Sequence, residues 1–185
     1  GALTFARQQE EIQSERIRYR RTSPNELRTL LTSLQPDAVV TTFHRIIDPE
    51  TLDLLPNRFV NLHYSLLPAF GGLIGMATLD AAKEARARFV GATCHRVDEL
   101  VDHGQIISQA ALAVDWDSVG TPALIPVVFR AACLCFLSGL ETVLLGAQST
   151  AGVTSLLGHD VWLNPGLGID TSGLDEEFWT RVSSA

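Results

Sequence analysis

Ala38-Val39-Val40-Thr41-Thr42-Phe43 and, further on, Phe59-Val60-Asn61-Leu62-His63 decide how this chain is read. The first run is β-branched and uncharged, as a buried strand is. The second reads as another strand, and Asp48-Pro49 opens a short helix between them through about Leu55. A strand–helix–strand unit of this kind points to an α/β fold with a mainly parallel sheet flanked by helices.

Upstream, Leu27, Leu30, Leu31 and Leu34 recur at i, i+3, i+4 and i+7, one apolar helix face that Pro36-Asp37 ends. Ser23-Pro24-Asn25-Glu26 before it has the form of a capping box with Pro at the first helical position. The charged stretch from Ala6 to Arg18 is expected as a solvated helix. Downstream come a loop from Tyr64 to about Gly75 and a helix from Ala77 to Arg88. Two strands follow, Val90 to Val97 and Gln105 to Val114, joined by a turn from Asp98 to Gly104. Pro122 to Leu145 is a long apolar helix. From Gly158 the chain is a Gly-rich acidic tail with a short helix at Leu174 to Val182. We expect one domain over residues 1–185, with its catalytic core at about 36–114.

Composition narrows the function. The 185 residues carry 14 Lys+Arg against 21 Asp+Glu, a net charge of -7. That balance argues against nucleic acid as a partner, since phosphate binding is driven by clustered positive charge. The 3 cysteines make neither a disulfide framework nor a Cys-based zinc site, and they suit a reducing, cytoplasmic setting. The first residues do not read as a signal peptide. Between Ser118 and Gly158 the charged side chains are Arg130 and Glu141 alone. Pro126 and Arg130 interrupt that apolar stretch, so we expect a helix buried against the sheet or in a homo-oligomer interface at 122–145 and no membrane span.

Two polar clusters stand out. Asn61 and His63 lie two apart on a strand, so they project from one face, just where open α/β sheets bind ligands. Structural capping of loop backbone explains such a pair equally well. In Gly91-Ala92-Thr93-Cys94-His95-Arg96-Val97-Asp98-Glu99-Leu100-Val101-Asp102-His103-Gly104, Thr93, His95 and Val97 alternate on one strand face and three acids follow. An acid beside a histidine can orient it and relay protons, although an acid-rich hairpin by itself needs no function. His44, His63, His95 and His103 match no zinc spacing, so no metal is expected.

Together the clusters carry a resemblance. Asn61-Leu62-His63-Tyr64-Ser65-Leu66-Leu67-Pro68 resembles the Asn-x-His-x-Ser-Leu-Leu-Pro signature of the folate-dependent formyltransferases, and the stretch from Gly91 to Ile107 resembles that family's second signature. Within the family the loop looks most like the phosphoribosylglycinamide formyltransferases. It lacks the Arg-x-Arg-Gly of the methionyl-tRNA enzymes. The resemblance implies a Rossmann-like formyltransferase fold and formyl transfer from 10-formyltetrahydrofolate to glycinamide ribonucleotide or a related small amine. It implies Asn61, His63 and Asp102 as the catalytic trio, with Thr93 and His95 in support. Asn61 and a protonated His63 would stabilise the charge on the formyl oxygen, and Asp102 would relay protons. Phe43-His44-Arg45-Ile46-Ile47 resembles the family's Phe-Met-Arg-Ile-Leu. Arg45, Ile46 and Ile47 would therefore contact the folate, with the turn Val97 to Asp102, and in it Val97, Asp98 and Glu99, closing over its other side. His44 is read as a surface residue.

The chain also departs from the family. Tyr64 stands where a Pro is usual, and Gly71 to Met76 is apolar. Gly1-Ala2-Leu3-Thr4-Phe5 is not the family's opening strand with its phosphate-gripping loop. The first βαβ unit is thus expected to be missing or rebuilt and the acceptor site altered. A formyltetrahydrofolate deformylase, or a truncated folate-binding remnant without catalysis, stands as an alternative.

Overall fold

A computed structural model describes residues 17, 19–42, 45–146 and 149–184. In chain order the elements are α1 (Asn25–Leu34), β1 (Val39–Thr41), α2 (Pro49–Asp53), β2 (Phe59–His63), α3 (Ala77–Glu84), β3 (Phe89–Arg96), β4 (Ile106–Ala113), α4 (Thr121–Leu145), β5 (Gly152–Leu156), β6 (His159–Asn164) and α5 (Glu176–Ser184). Apart from residue 17, the helix expected over 6–18 lies outside the described residues, as do Phe43 and His44.

The strands form one six-stranded sheet in the order β1-β2-β3-β4-β6-β5. The sheet is α/β in character but mixed rather than mainly parallel: β1 and β2 run parallel, while every other neighbouring pair is antiparallel. Strand–helix alternation predicts parallel strands only when the connecting helix alone carries the chain back. Here the route from β2 to β3 has two legs, the long loop after His63 and then α3. Together they return the chain to the end where β2 exits, so His63 faces Thr93 and Val60 faces Arg96.

The first elements follow their local signals in part. Asp48 caps α2, its Oδ1 accepting from Thr51 N at 3.0 Å with Pro49 in the first turn. The capping box expected at Ser23 does not form. Pro24 is the N-cap of α1 with no side-chain cap bond, and the Ser23 amide instead donates to Arg20 O. Of the α1 leucine stripe, Leu31 is buried, joining Ile47, Leu55 and Phe59 in a small core, whereas Leu34 is exposed.

The larger core lies between α4 and the sheet. Leu124, Val127, Val128, Ala131, Ala132 and Cys135 of α4 are buried against Ala92, Cys94, Ala110, Leu112 and Val161 of the strands. This packing accounts for the apolar composition of α4. Among the described residues it is the one helix long and apolar enough to cross a membrane, and half of its most apolar window is buried in this core. Gly139 permits the close approach, since a Cβ there would collide with Cys94 and Ser108.

The stretch expected to be a Gly-rich tail from 158 is instead built into the core. Leu157 and Gly158 both take positive φ, as a two-residue hairpin turn requires. The turn pairs β5 with β6, and β6 buries Val161 and Leu163. Trp179 of α5 is buried as well, and Arg130 of α4 makes a bidentate pair with Glu176 while its guanidinium lies 5.3 Å from the Trp179 ring centroid.

Candidate active site

Pairing of β2 with β3 sets Asn61 opposite His95 and His63 opposite Thr93. Alternation puts all four on the sheet face away from α4, with Leu62 and Cys94 turned toward the helix. His63, Thr93 and His95 are buried there, a strongly polar patch for the centre of a sheet.

Asp102 reaches this patch from the turn after β3. Its backbone has φ 54, a left-handed conformation that Asp tolerates better than most residues. Gly104 lets the turn fold back on β3, because a Cβ there would strike the Arg96 carbonyl, and Arg96 N accordingly donates to Gln105 O at 2.8 Å. Asp102 Oδ2 lies 3.2 Å from His63 Nδ1 and accepts from Gly72 N at 2.8 Å. The other nitrogen of His63, Nε2, lies 3.1 Å from the Phe70 carbonyl. Carbonyl and ionised carboxylate only accept, so both are met when each nitrogen of the ring carries a proton.

His95 behaves differently. Burial is the largest influence on it and pushes its pKa below the ordinary 6.5, against the opposing pull of the Arg96 carbonyl and the Asp102 carboxylate. Nδ1 faces Arg96 O at 2.8 Å and donates to it, which leaves Nε2 of the neutral ring as an acceptor. Asn61 Nδ2 donates to it at 3.4 Å, while Asp102 Oδ1 stands off at 3.6 Å. His95 thereby turns the amide nitrogen of Asn61, keeping its second N–H for the cleft.

Thr93 supports the site through the loop after β2. Its hydroxyl donates to Ser65 O at 2.7 Å and accepts from Leu67 N at 3.0 Å and Gln109 Nε2 at 3.1 Å. Gln109 also donates to Leu67 O at 3.2 Å. The sequence reading did not single out Gln109, although an amide among the alternating small and apolar residues of β4 is a signal that could have found it.

A cleft of about 420 Å³ opens over these groups. It begins at the carboxyl ends of β1 and β2 and is lined by Asn61, His63, His95 and Asp102. Of the expected folate contacts, Arg45, Ile46, Ile47, Val97 and Asp98 line it too. Glu99 does not: it borders a separate shallow groove with Leu52, Asp53 and Asn57, because the turn points its side chain outward. Leu100 and Val101, within the turn expected to close over the folate, and Leu73 and Ile74, which the sequence reading had not assigned to the site, complete the apolar walls. Behind the lip at 45–47, Asp48 holds Arg28 and Thr51, and Tyr19 donates to Ile46 O at 3.1 Å. His103 is exposed, 4.0 Å from Asp98. Among the described residues no group of three or more His, Cys, Asp or Glu side chains is arranged to hold a metal ion.

Residues 2–121 match the family described as formyl transferase. The chain belongs to that family. Over 129 residues it is 34% identical to a methionyl-tRNA formyltransferase of Corynebacterium efficiens, a match covering 68% of this chain and 40% of the relative. Over 82 residues it is 40% identical to a formyltetrahydrofolate deformylase of Escherichia coli strain K12, covering 44% of this chain and 28% of the relative. A solved phosphoribosylglycinamide formyltransferase from Anaplasma phagocytophilum superposes with a TM-score of 0.58 at 25% identity, covering 71% of this chain and 61% of the other. The chain thus spans less than half the length of the two sequence relatives. These members of the formyl transferase family differ in acceptor, so the family by itself leaves the acceptor open.

Proposed function

We propose that this chain transfers the formyl group of 10-formyltetrahydrofolate to a small amine, with Asn61, His63 and Asp102 as catalytic residues. The observation that carries the proposal is the convergence of these three side chains at one end of a single cleft, with Asp102 3.2 Å from His63. Names of the family relatives support the reading, and glycinamide ribonucleotide is the acceptor that the phosphoribosylglycinamide enzymes suggest.

The chemistry follows from the geometry. The amine attacks the formyl carbon, and charge gathers on the formyl oxygen. The free N–H of Asn61 and the Nε2–H of His63 meet that oxygen; His63 does so by exchanging the Phe70 carbonyl for it. The bond from Gly72 N holds Asp102 beside the ring, and through water Asp102 takes the proton the attacking amine loses. The folate lies between the lip at Arg45, Ile46 and Ile47 and the turn at Val97 and Asp98, where apolar walls suit a flat ring system. Three free cysteines agree with a reducing, cytoplasmic setting.

The test is tetrahydrofolate release from 10-formyltetrahydrofolate with an amine panel that includes glycinamide ribonucleotide. Amine-dependent release that is lost in His63→Ala and Asp102→Asn is the expected result; release indifferent to both substitutions would sink the assignment. A second reading has its own support in the 40% identity to a deformylase. There water replaces the amine, and formate appears with no amine present.

A further inference from the structure

Resting on the formyl-transfer reading, we infer that Tyr19 is a positioning residue for the formyl donor: its hydroxyl sets the lip at Arg45, Ile46 and Ile47 against which the folate lies. Residues 45–47 lie outside the helices and strands, between β1 and α2. Such a stretch keeps one shape where other parts of the fold bind its backbone. Ile47 anchors the lip in the small core, while Ile46 is half-exposed in the cleft.

The Tyr19 hydroxyl bonds on both sides of Ile47. It donates to Ile46 O at 3.1 Å and accepts from Asp48 N at 3.1 Å. A trans peptide holds its C=O and N–H on opposite sides, so the bond to Ile46 O also turns the Ile47 N–H away from Tyr19. The peptide between two cleft-lining isoleucines thus has its plane set from behind. Burial pushes the Tyr19 pKa above the ordinary 10.0, so the hydroxyl keeps its proton.

Arg28 of α1 steadies the far end of the lip. Asp48 accepts from Arg28 and, at 2.6 Å, from Thr51 Oγ1, to which Arg28 Nε donates at 3.0 Å. Burial opposes the charge on Asp48, but the bonds from Thr51 and Arg28 outweigh it and hold its pKa below the ordinary 3.8. Tyr19 and Arg28 both precede β1, in a segment to which the sequence reading gave no part in the site. A lip already in shape spares the donor the cost of ordering it. The gain therefore falls on donor affinity and not on the chemical step.

The experiment compares the wild-type full chain with Tyr19→Phe and Gly139→Val. It reads the Kd for tetrahydrofolate, the urea midpoint, and steady-state kinetics with 10-formyltetrahydrofolate and glycinamide ribonucleotide. In Tyr19→Phe the Kd and the donor KM should rise about three- to tenfold, with kcat and the amine KM unchanged. Gly139→Val, which loosens the fold from the opposite face, should lower the midpoint and leave the Kd alone. A smaller rise in Kd for Tyr19→Phe overturns the inference, whatever its midpoint does; so does a fall in kcat at saturating donor, or an equal rise in Kd for Gly139→Val. A wild-type chain that binds tetrahydrofolate but moves no formyl group to an amine or to water overturns the formyl-transfer reading alone, and the Kd values still decide for Tyr19. No tetrahydrofolate binding by the wild type overturns both.

Discussion

On β2 and β3 alternate side chains do opposite work. Toward α4 the strands present Val60, Leu62, Ala92 and Cys94, close-packed on a helix that carries Gly139 at the tightest point. Toward the cleft they present Asn61, His63, Thr93 and His95, each bonded to a loop carbonyl or to one another. The first face supplies cohesion, since burying apolar surface is the main stabilising term. The second face gives much of that up. A fully bonded buried polar group contributes only about 1 kcal/mol net, less than a large apolar side chain buried in its place, so the reason for this face lies in chemistry. The comparison teaches that stability and activity here sit on opposite sides of the same two strands, one pleat apart.

The sharpest way to break that comparison is Asp102→Asn. It leaves an acceptor for Gly72 N but removes the charge beside His63. We expect kcat to fall by about 10²–10⁴-fold, with the urea midpoint nearly unmoved. A large loss of stability would show that the cleft face holds the fold. Gly139→Val is the converse. Its side chain would enter space held by Cys94 and Ser108, at a cost of about 1–3 kcal/mol, while activity per folded molecule persists. Thr93→Val lies between the two. Removing the hydroxyl strands Ser65 O and Leu67 N inside the protein, which costs about 1–2 kcal/mol, and it frees the loop that carries the Phe70 carbonyl. Midpoint and kcat should fall together; a fall in only one would assign Thr93 to a single face.

The two faces were not equally legible in the sequence. Asn61 and His63 could be placed on one strand face from spacing alone, and the cap at Asp48-Pro49 read correctly. Pairing with Asp102 could not be derived so directly. It depends on a left-handed residue in a turn that folds back over the sheet, and it entered only through motif resemblance. Strand direction was hidden because alternation of strands and helices records that the chain crosses over, not how far each leg travels. The β5–β6 hairpin escaped because its turn is Leu157-Gly158 rather than Asn-Gly, and β5 alternates only weakly, with Leu156 its one buried residue. Glu99 was grouped with its neighbours by position in the motif, whereas a tight turn sends successive side chains to different sides.

The smallest expected effect separates His95 from its neighbours on the cleft face. Burial lowers its pKa below 6.5 in the folded chain. The unfolded chain therefore binds more protons at acid pH, and stability rises with pH across that interval. The contribution is fully present above the ordinary value of 6.5 and is lost as pH falls toward the depressed folded value. In urea unfolding between about pH 7.5 and about pH 5, the wild-type midpoint should decline more steeply than that of His95→Gln, which has no proton to take up. Parallel declines would show that His95 can be charged in place. In that case its Nε2 would donate to Asp102, Asn61 would have to present its oxygen instead of its nitrogen, and the donor aimed at the formyl oxygen would be lost at acid pH.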